Sequence, residues 1–315
     1  MSGNPFSNRL QKRARHLRKW AKRWPTNAYR LYDRDIPEYR WSVDIYGDHV
    51  FLQEYSTSKM SPQERQNQRQ EVRQAIKDVV GVADHKFLHE RTRERQRRGS
   101  QYEKQDSSRN EFKVKEGPLS FLINLSDYID TGLFLDHRES RRDIASRVKS
   151  FGRPVRMLNL FCYTGAFSVW AAHAGAHTTS VDLSNTYIDW AKRNFTLNRL
   201  DPRQHIFLRS DILQWLPKEI GLGRKYDIIV LDPPTFSRSA KMDQDFDIQR
   251  DHVELIHQCM QLLEHDGLLF FSNNFRRFEL DADAIDADIQ EVSEQSIPED
   301  FREGIHRAWH LRHKI

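Results

Sequence analysis

Between residues 226 and 231 the chain runs Tyr-Asp-Ile-Ile-Val-Leu, almost wholly apolar, then stops on Asp232 and breaks into Pro233, Pro234, Thr235 and Phe236. An apolar run of this length reads as a central parallel strand covered on both faces. It places the loop from Asp232 onward at the carboxyl edge of an α/β sheet, where open sheets bind ligands. The two prolines fix φ and lack an N–H, so the loop is stiff, cannot pair onward, and presents Thr235 and Phe236 at its tip. The pattern recurs upstream. Residues 155–160 read as a short apolar strand leading through a tight turn at Thr164 and Gly165 into a helix. His177–Val181 is a second strand ending on Asp182, and His205–Leu208 a third followed by Asp211. Helical spacing puts Ile188, Ala191 and Phe195 on one face of 185–198, and Val253, Ile256, Met260 and Leu263 on one face of 249–263. Gly267 turns into a strand over Leu268–Ser272, and a last strand is expected near Ala308–Arg312. Strands alternating with helices predict a doubly wound α/β sheet.

The first 125 residues show another pattern. Leu10, Ala14, Leu17, Ala21 and Trp24 fall at helical spacing, so the chain opens with a helix carrying one apolar stripe. Strands are expected around 40–55. A helix begins at Ser61-Pro62 with Glu64 closing a capping box. Next comes an arginine-rich strand over 91–98, where period-two alternation sets Arg91, Arg93 and Arg95 on one face. Gly117-Pro118 is a turn, after which 119–138 reads as a strand pair and connector. These elements predict a small basic α+β domain over 1–125 and the doubly wound domain over 126–315.

Composition narrows the class. A chain of 315 residues with 38% hydrophobic content can fill two domain cores. No apolar run approaches the ~18 residues of a membrane span, and the basic N-terminus lacks the apolar segment of a signal peptide, so a cytoplasmic location is expected and no membrane partner. Two cysteines make neither a disulfide framework nor a zinc set. His306, His310 and His313 lack the spacing of a metal motif and read as surface or strand residues, so no metal is expected. Net charge is only +5 but unevenly spread: eight Lys or Arg lie between Arg9 and Arg23, and no acid precedes Asp33. So dense a basic stripe repels itself unless an anion shares it, which makes Arg13 and Arg18, with Arg91, Arg93 and Arg95, candidate RNA contacts; the bland alternative is a solvated helix face. Residues 281–300 hold eight acids and no Lys or Arg, and should face away from RNA.

The strand tips carry the candidate chemistry. In a doubly wound sheet they lie side by side, so one adenosine-bearing cofactor can meet the turn after the first strand and an acid at each of the next two. The set comprises Asn159, Phe161, Tyr163, Thr164 and Gly165, then Asp182, Leu183 and Ser184, then Asp211 and Ile212, with Asp232 at the fourth tip. Asp182 would accept from the ribose hydroxyls and Asp211 from the adenine amino group. The alternative for each acid is an ordinary helix N-cap, which for Asp211 alone comes first. A pyrophosphate needs loop glycines where Phe161, Cys162 and Tyr163 stand, so a dinucleotide fits poorly and S-adenosylmethionine, which has no pyrophosphate, fits well.

Four strings carry a resemblance: Asn-Leu-Phe-Cys-Tyr-Thr-Gly-Ala-Phe-Ser (159–168), Asp-Pro-Pro-Thr-Phe-Ser (232–237), Ser-Asn-Asn (272–274) and Asp-Thr-Gly-Leu-Phe-Leu-Asp-His-Arg (130–138). With Tyr-Arg-Leu-Tyr-Asp-Arg-Asp-Ile-Pro-Glu-Tyr (29–39) and Arg-Thr-Arg-Glu-Arg-Gln (91–96), they resemble class I S-adenosylmethionine-dependent rRNA methyltransferases. Within these the chain is similar to the C-terminal, RlmK-type half of the bifunctional large-subunit enzymes. The resemblance implies a Rossmann-like methyltransferase domain acting on guanine N7 of 23S rRNA, free or in a large-subunit precursor. It also implies that Phe134, Asp136 and Arg138 flank the cofactor, Arg138 facing its methionine carboxylate. The family's N-terminal half, with its guanine N2 activity, has no counterpart here, which leaves room for a separate guanine N2 methyltransferase as partner.

Guanine N7 has an in-plane lone pair and no proton, so its methylation needs in-line approach and exclusion of water but no general base. Asp232, with Pro233 and Pro234 stiffening its loop, is therefore expected to do electrostatic work. Phe236 is expected to stack on a flipped base, and Asn273 and Asn274 to read its edge, against the alternative of a strand-ending turn. Two rival functions remain. Cytosine C5 methylation needs a cysteine nucleophile, but Cys162 belongs to the expected cofactor turn and Cys259 to a helix, and neither directly follows the Asp232 loop. A non-catalytic RNA-binding or assembly factor would have no use for intact Gly165, Asp182, Asp211 and Asp232.

Overall fold

A computed structural model describes residues 4–55, 60–82, 87–93, 110–128, 130–237 and 245–314. The chain divides into two compact units, the first made of Met1–Arg97, Glu103–Thr131 and Glu299–Arg302, the second of Arg98–Tyr102, Gly132–Pro298 and Glu303–Ile315.

In the first unit the basic helix α1 (Pro5–Arg23) is capped by Asn4 and buries Phe6, Leu10, Ala14, Leu17 and Trp20. The stripe thus continues through Trp20, with Ala21 and Trp24 at its edge. It packs with α2 (Pro62–Val80) over a four-stranded sheet of β1 (Ala28–Asp33), β2 (Trp41–Tyr46), β3 (His49–Tyr55) and β4 (Leu88–Arg93), paired in that order. β4 runs parallel to β3, as a helical crossover between them requires. The capping box on α2 forms as expected: Ser61 and Glu64 satisfy each other's backbone N–H. β5 (Glu111–Glu116) and β6 (Leu119–Asn124) form a hairpin around Gly117-Pro118. The expected strand pair therefore straddles that turn instead of coming after it.

The second unit is a seven-stranded sheet. Its helices are α3 (Arg138–Ser150), α4 (Ala166–His173), α5 (Asn185–Leu197), α6 (Ile212–Gly221), α7 (Ile248–Leu262) and the short α8 (Ser293–Ser296). The strands are β7 (Arg156–Leu160), β8 (His177–Asp182), β9 (Ile206–Arg209), β10 (Tyr226–Leu231), β13 (Leu263–Asn273), β14 (Asp288–Glu291) and β15 (Arg307–Arg312), while β11 (Phe236–Ser237) and β12 (Phe246–Asp247) form a small ladder beside the sheet. Across the sheet they lie in the order β14-β15-β13-β10-β7-β8-β9. β13, β10, β7, β8 and β9 are parallel, and β15 is antiparallel to β13. The order reverses between β7 and β10, the switch point at which such sheets bind ligands. This is the Rossmann-like α/β fold expected. Gly267 does not start the fifth strand but sits inside it, where the β10 register slips. A Cβ there would lie 2.9 Å from the Asp227 and Glu264 carbonyls. Among the described residues no helix is long and apolar enough to cross a membrane.

Candidate active site

The turn after β7 is built from left-handed backbone. Phe161 and Tyr163 have φ of 54° and 49°, and Gly165 has φ of 73°. Two non-glycine residues in that region are costly, and the turn is held by hydrogen bonds from Cys162 N to Val181 O (3.1 Å) and from Gly165 N to Cys162 O (2.8 Å). At Gly165 a Cβ would come within 2.8 Å of the Ala191 Cβ on α5, so the residue is glycine for close packing as well as for φ. The turn also grips the connector before α3: Gly132 N donates to the Tyr163 hydroxyl (2.7 Å) and Thr164 Oγ1 donates to Gly132 O (2.6 Å). Phe134 stays 39% exposed, with its ring 4.9 Å from that of Tyr163.

Asp182, at the tip of β8, is buried and accepts from Tyr163 N (3.0 Å) and Ser184 N (2.9 Å). Burial pushes its carboxyl up to about 6, and those backbone donors hold it from rising further. Leu183 and Ser184 are half-buried, Ser184 capping α5. Asp211 caps α6 through Leu213 N (3.0 Å), the ordinary local role of an acid at a strand-to-helix turn, and Ile212 points into the core. Asn159 lies within the sheet, donating to Ser168 Oγ (2.9 Å).

At the fourth tip Asp232 accepts from Ser272 Oγ on β13 (2.7 Å) and lies 3.4 Å from His137 Nε2. His137 is buried, which lowers its pKa and keeps the ring neutral; Asp232 pulls the other way. Its ring stacks on His306 at 4.5 Å, and His306 faces Asp136 (3.3 Å) and the Ser296 hydroxyl (2.8 Å). His306 is thus buried beside Asp232's neighbours and not a surface residue, its ring held by the stack on His137 and its nitrogens facing Asp136 and Ser296. Asp136, His137 and His306 bring possible metal-ligating atoms within 4.8 Å of one another. Their imidazole planes are only 11° apart, however, and in-plane lone pairs of stacked rings do not converge on one ion. Arg138 is fully buried, and Arg141 donates to Phe134 O (2.9 Å). Pro233 is buried and Pro234 half-buried. Phe236 is half-buried in the β11–β12 ladder. Asn273 is buried and accepts from Phe275 N (3.1 Å), a strand-ending turn, while the exposed Asn274 accepts from Thr235 Oγ1 (3.1 Å).

The RNA candidates divide. In the first unit Arg13 donates to Asp300 O (2.9 Å) and Leu31 O (3.3 Å), Arg18 to Val79 O (2.7 Å), and Arg91 to Tyr128 O (2.7 Å) while lying over Phe51. These side chains serve their own unit. Arg93 is in β4, its side chain outside the described residues, and Arg95 is outside them altogether. The exposed basic residues of α1 are Lys12, Arg15, Arg18, Lys19, Lys22 and Arg23. The acidic stretch ends differently from expectation: Glu299 pairs with His16 on α1 (2.6 Å), and buried Asp300 accepts from Arg30 N (2.8 Å).

The chain belongs to the S-adenosylmethionine-dependent methyltransferase family, whose model matches residues 48–277. Over 98% of its length it is 48% identical to the ribosomal RNA large subunit methyltransferase K of Neisseria meningitidis, covering 87% of that protein. It is 46% identical to the ribosomal RNA large subunit methyltransferase K/L of Pseudomonas aeruginosa, again over 98% of the chain but only 42% of that longer protein. Among solved structures it resembles a methyltransferase complexed with SAH, with a TM-score of 0.77, 26% identity, and coverage of 97% of this chain and 80% of the other. S-adenosylmethionine is accordingly the cofactor. The residues present fit it: Asp182 is desolvated and suited to hydroxyl donors. His137 Nδ1 and Asn273 Nδ2 are buried with no partner among the described residues, an acceptor and a donor matching the ammonium and carboxylate of a methionine moiety.

Proposed function

We propose that the chain methylates guanine N7 of 23S rRNA, free or within a large-subunit precursor. The rRNA substrate is supported by its relation to the large-subunit methyltransferases K and K/L. The observation that carries the choice of atom is the setting of Asp232, held between the Ser272 hydroxyl and a buried neutral His137. That arrangement orients a carboxylate at the strand tip for electrostatic work, which is all that an acceptor with no proton to lose asks of it. S-adenosylmethionine, when bound, supplies an electrophilic methyl group. Asp182 would hold the ribose hydroxyls, Phe134 and Tyr163 would offer aromatic faces to the adenosine, and Asp136, Arg138 and the stiff Pro233-Pro234 loop would bound the reacting end and exclude water. Phe236 and Asn274 would meet the flipped base, and the exposed face of α1 would track phosphates.

Cytosine C5 chemistry is disfavoured because both cysteines are buried and burial raises both thiols, so neither offers a ready thiolate. The deciding assay presents rRNA with 7-deazaguanosine at the modified position, which replaces the acceptor nitrogen by carbon and leaves the Watson–Crick edge intact. Transfer to unmodified rRNA but not to the deaza RNA is expected. Methyl transfer to the deaza RNA, or onto a cytosine or an exocyclic amine, would refute the assignment.

A further inference from the structure

The segment leaving β13 reads Asn273-Asn274-Phe275-Arg276-Arg277-Phe278 and is tied down along its length. Phe275 N donates to Asn273 Oδ1, and Phe278 N to Phe275 O (3.0 Å). Phe278 is buried against the rings of Phe271, His252 and Trp309. Arg307 donates to Phe278 O (3.2 Å), and Gln249 exchanges two hydrogen bonds with the Glu279 backbone (2.9 and 3.0 Å). At its start Asn274 accepts from Thr235, which joins the turn to the loop that carries Asp232. Between these anchors Arg276 and Arg277 are exposed, and neither has a hydrogen-bond or ion-pair partner among the described residues. The next acids along the chain pair with neither: Asp281 directs its carboxylate at Ala284 N, and Glu279 is exposed.

Two unpaired guanidinium groups on an immobilised turn, beside the loop that holds the proposed catalytic carboxylate, make a preformed anion grip. Little backbone freedom remains to be lost when an anion binds there. A nucleotide swung out of its helix loses its stacking and must be held by its backbone, and arginine forks match phosphate oxygens two at a time. We infer that Arg276 and Arg277 grip the RNA phosphodiesters flanking the target nucleotide. They fix where the flipped base enters, while the face of α1 contributes affinity without placing the base. The inference rests on the reading of this site as an RNA methyltransferase centre.

The test compares the protein with its R276A/R277A and R276K/R277K variants on a 23S rRNA fragment, reading both binding and methyl transfer. The alanine pair should raise the KM for RNA about tenfold or more. It should also flatten the salt dependence of RNA binding by ~0.7–0.9 per lost phosphate contact. S-adenosylmethionine affinity and the melting temperature should not move. The lysine pair should restore the salt slope but not the full affinity, because a point charge replaces a two-pronged donor. An alanine pair with wild-type KM and salt slope overturns the inference. A wild type that binds rRNA but transfers no methyl sinks the functional reading instead, and the arginines are then judged by binding alone: an unchanged slope still rejects them.

Discussion

If Asp182 holds the ribose hydroxyls as proposed, cofactor binding should depend on pH in a direction that can be worked out in advance. Its carboxyl in the folded protein sits at about 6, against 3.8 ordinarily, because burial disfavours the charge. Hydroxyl donors stabilise the ionised form, so S-adenosylmethionine should bind the carboxylate and compete with its proton. With half-ionisation near 6, about nine-tenths of the protein is competent at pH 7 and about one-tenth at pH 5. The dissociation constant should therefore rise about tenfold between those values, ~1.4 kcal/mol, and stay flat from pH 7 to 7.5. The cofactor's own α-amino group ordinarily titrates near 8 and its carboxyl below 4, both outside that window. Stability of the ligand-free protein should move the opposite way. The folded chain holds this proton more tightly than the unfolded chain, so the contribution of Asp182 falls as pH rises from about 4 to about 6, by at most ~3 kcal/mol, and is constant above. Calorimetric titrations at pH 5, 6 and 7, paired with melts at each pH, read both effects. Asp182→Asn should bind about 1.5–3 kcal/mol more weakly and lose the pH dependence. Asn offers one acceptor where Tyr163 N and Ser184 N both donate, so the melts separate structural loss from lost ligand contact. A wild-type dissociation constant flat from pH 5 to 7, or an Asn variant that keeps the slope, would remove Asp182 from the ribose.

The same turn and the two cysteines give two further outcomes. Gly165→Ala forces a side chain onto a φ of 73° and a Cβ to within 2.8 Å of Ala191, so it should cost about 1–3 kcal/mol in denaturant unfolding and weaken cofactor binding. An unchanged midpoint would mean that α5 yields freely. Replacing Cys162 and Cys259 together by alanine should leave methyl transfer within a few-fold of wild type, and a thiol reagent should label neither residue in the folded protein. A well-folded double variant without turnover would bring a cysteine nucleophile back.

The sheet was legible where side-chain period and strand length agreed. β10 announces itself because every residue of Tyr226–Leu231 is buried, and β8 and β9 because each ends near an acid that its neighbours require. Other elements were hidden for local reasons. α6 carries Pro217 inside its span, which reads as a break, and α3 is so rich in charge that its buried stripe of Ile144, Ala145 and Val148 barely shows. β14 is an edge strand only four residues long, with Ile289 alone among its residues apolar. Among the candidate site residues the turn after β7 was readable from Gly165 and the strand order, whereas the burial of His306 was not. It comes to lie against Asp136 across 170 positions of sequence, and no spacing rule reaches that far. Ser272 was hidden for the same reason, since its bond to Asp232 spans 40 positions and depends on β13 lying beside β10. The basic helix was legible as a stripe, but sequence does not show that Leu31, Val79 and Asp300 supply carbonyls to Arg13 and Arg18.

The stacked histidines beside Asp232 bear on the proposal that guanine N7 is the acceptor. Attack by N7 leaves the base with a full positive charge, so an anion close to the reacting ring stabilises the transition state more than the ground state. A protonated imidazole 3.4 Å from Asp232 would cancel that anion, while a buried neutral one leaves its charge standing. Desolvation of His137 is then part of the chemistry: the apolar ring of Phe167 and the face of His306 exclude the water that would let it charge. An acceptor that had to lose a proton would want the reverse, a carboxylate or imidazole with a route to solvent. The burial of His137 and His306 closes the route through the two rings, although the Asp232 side chain itself remains 23% exposed.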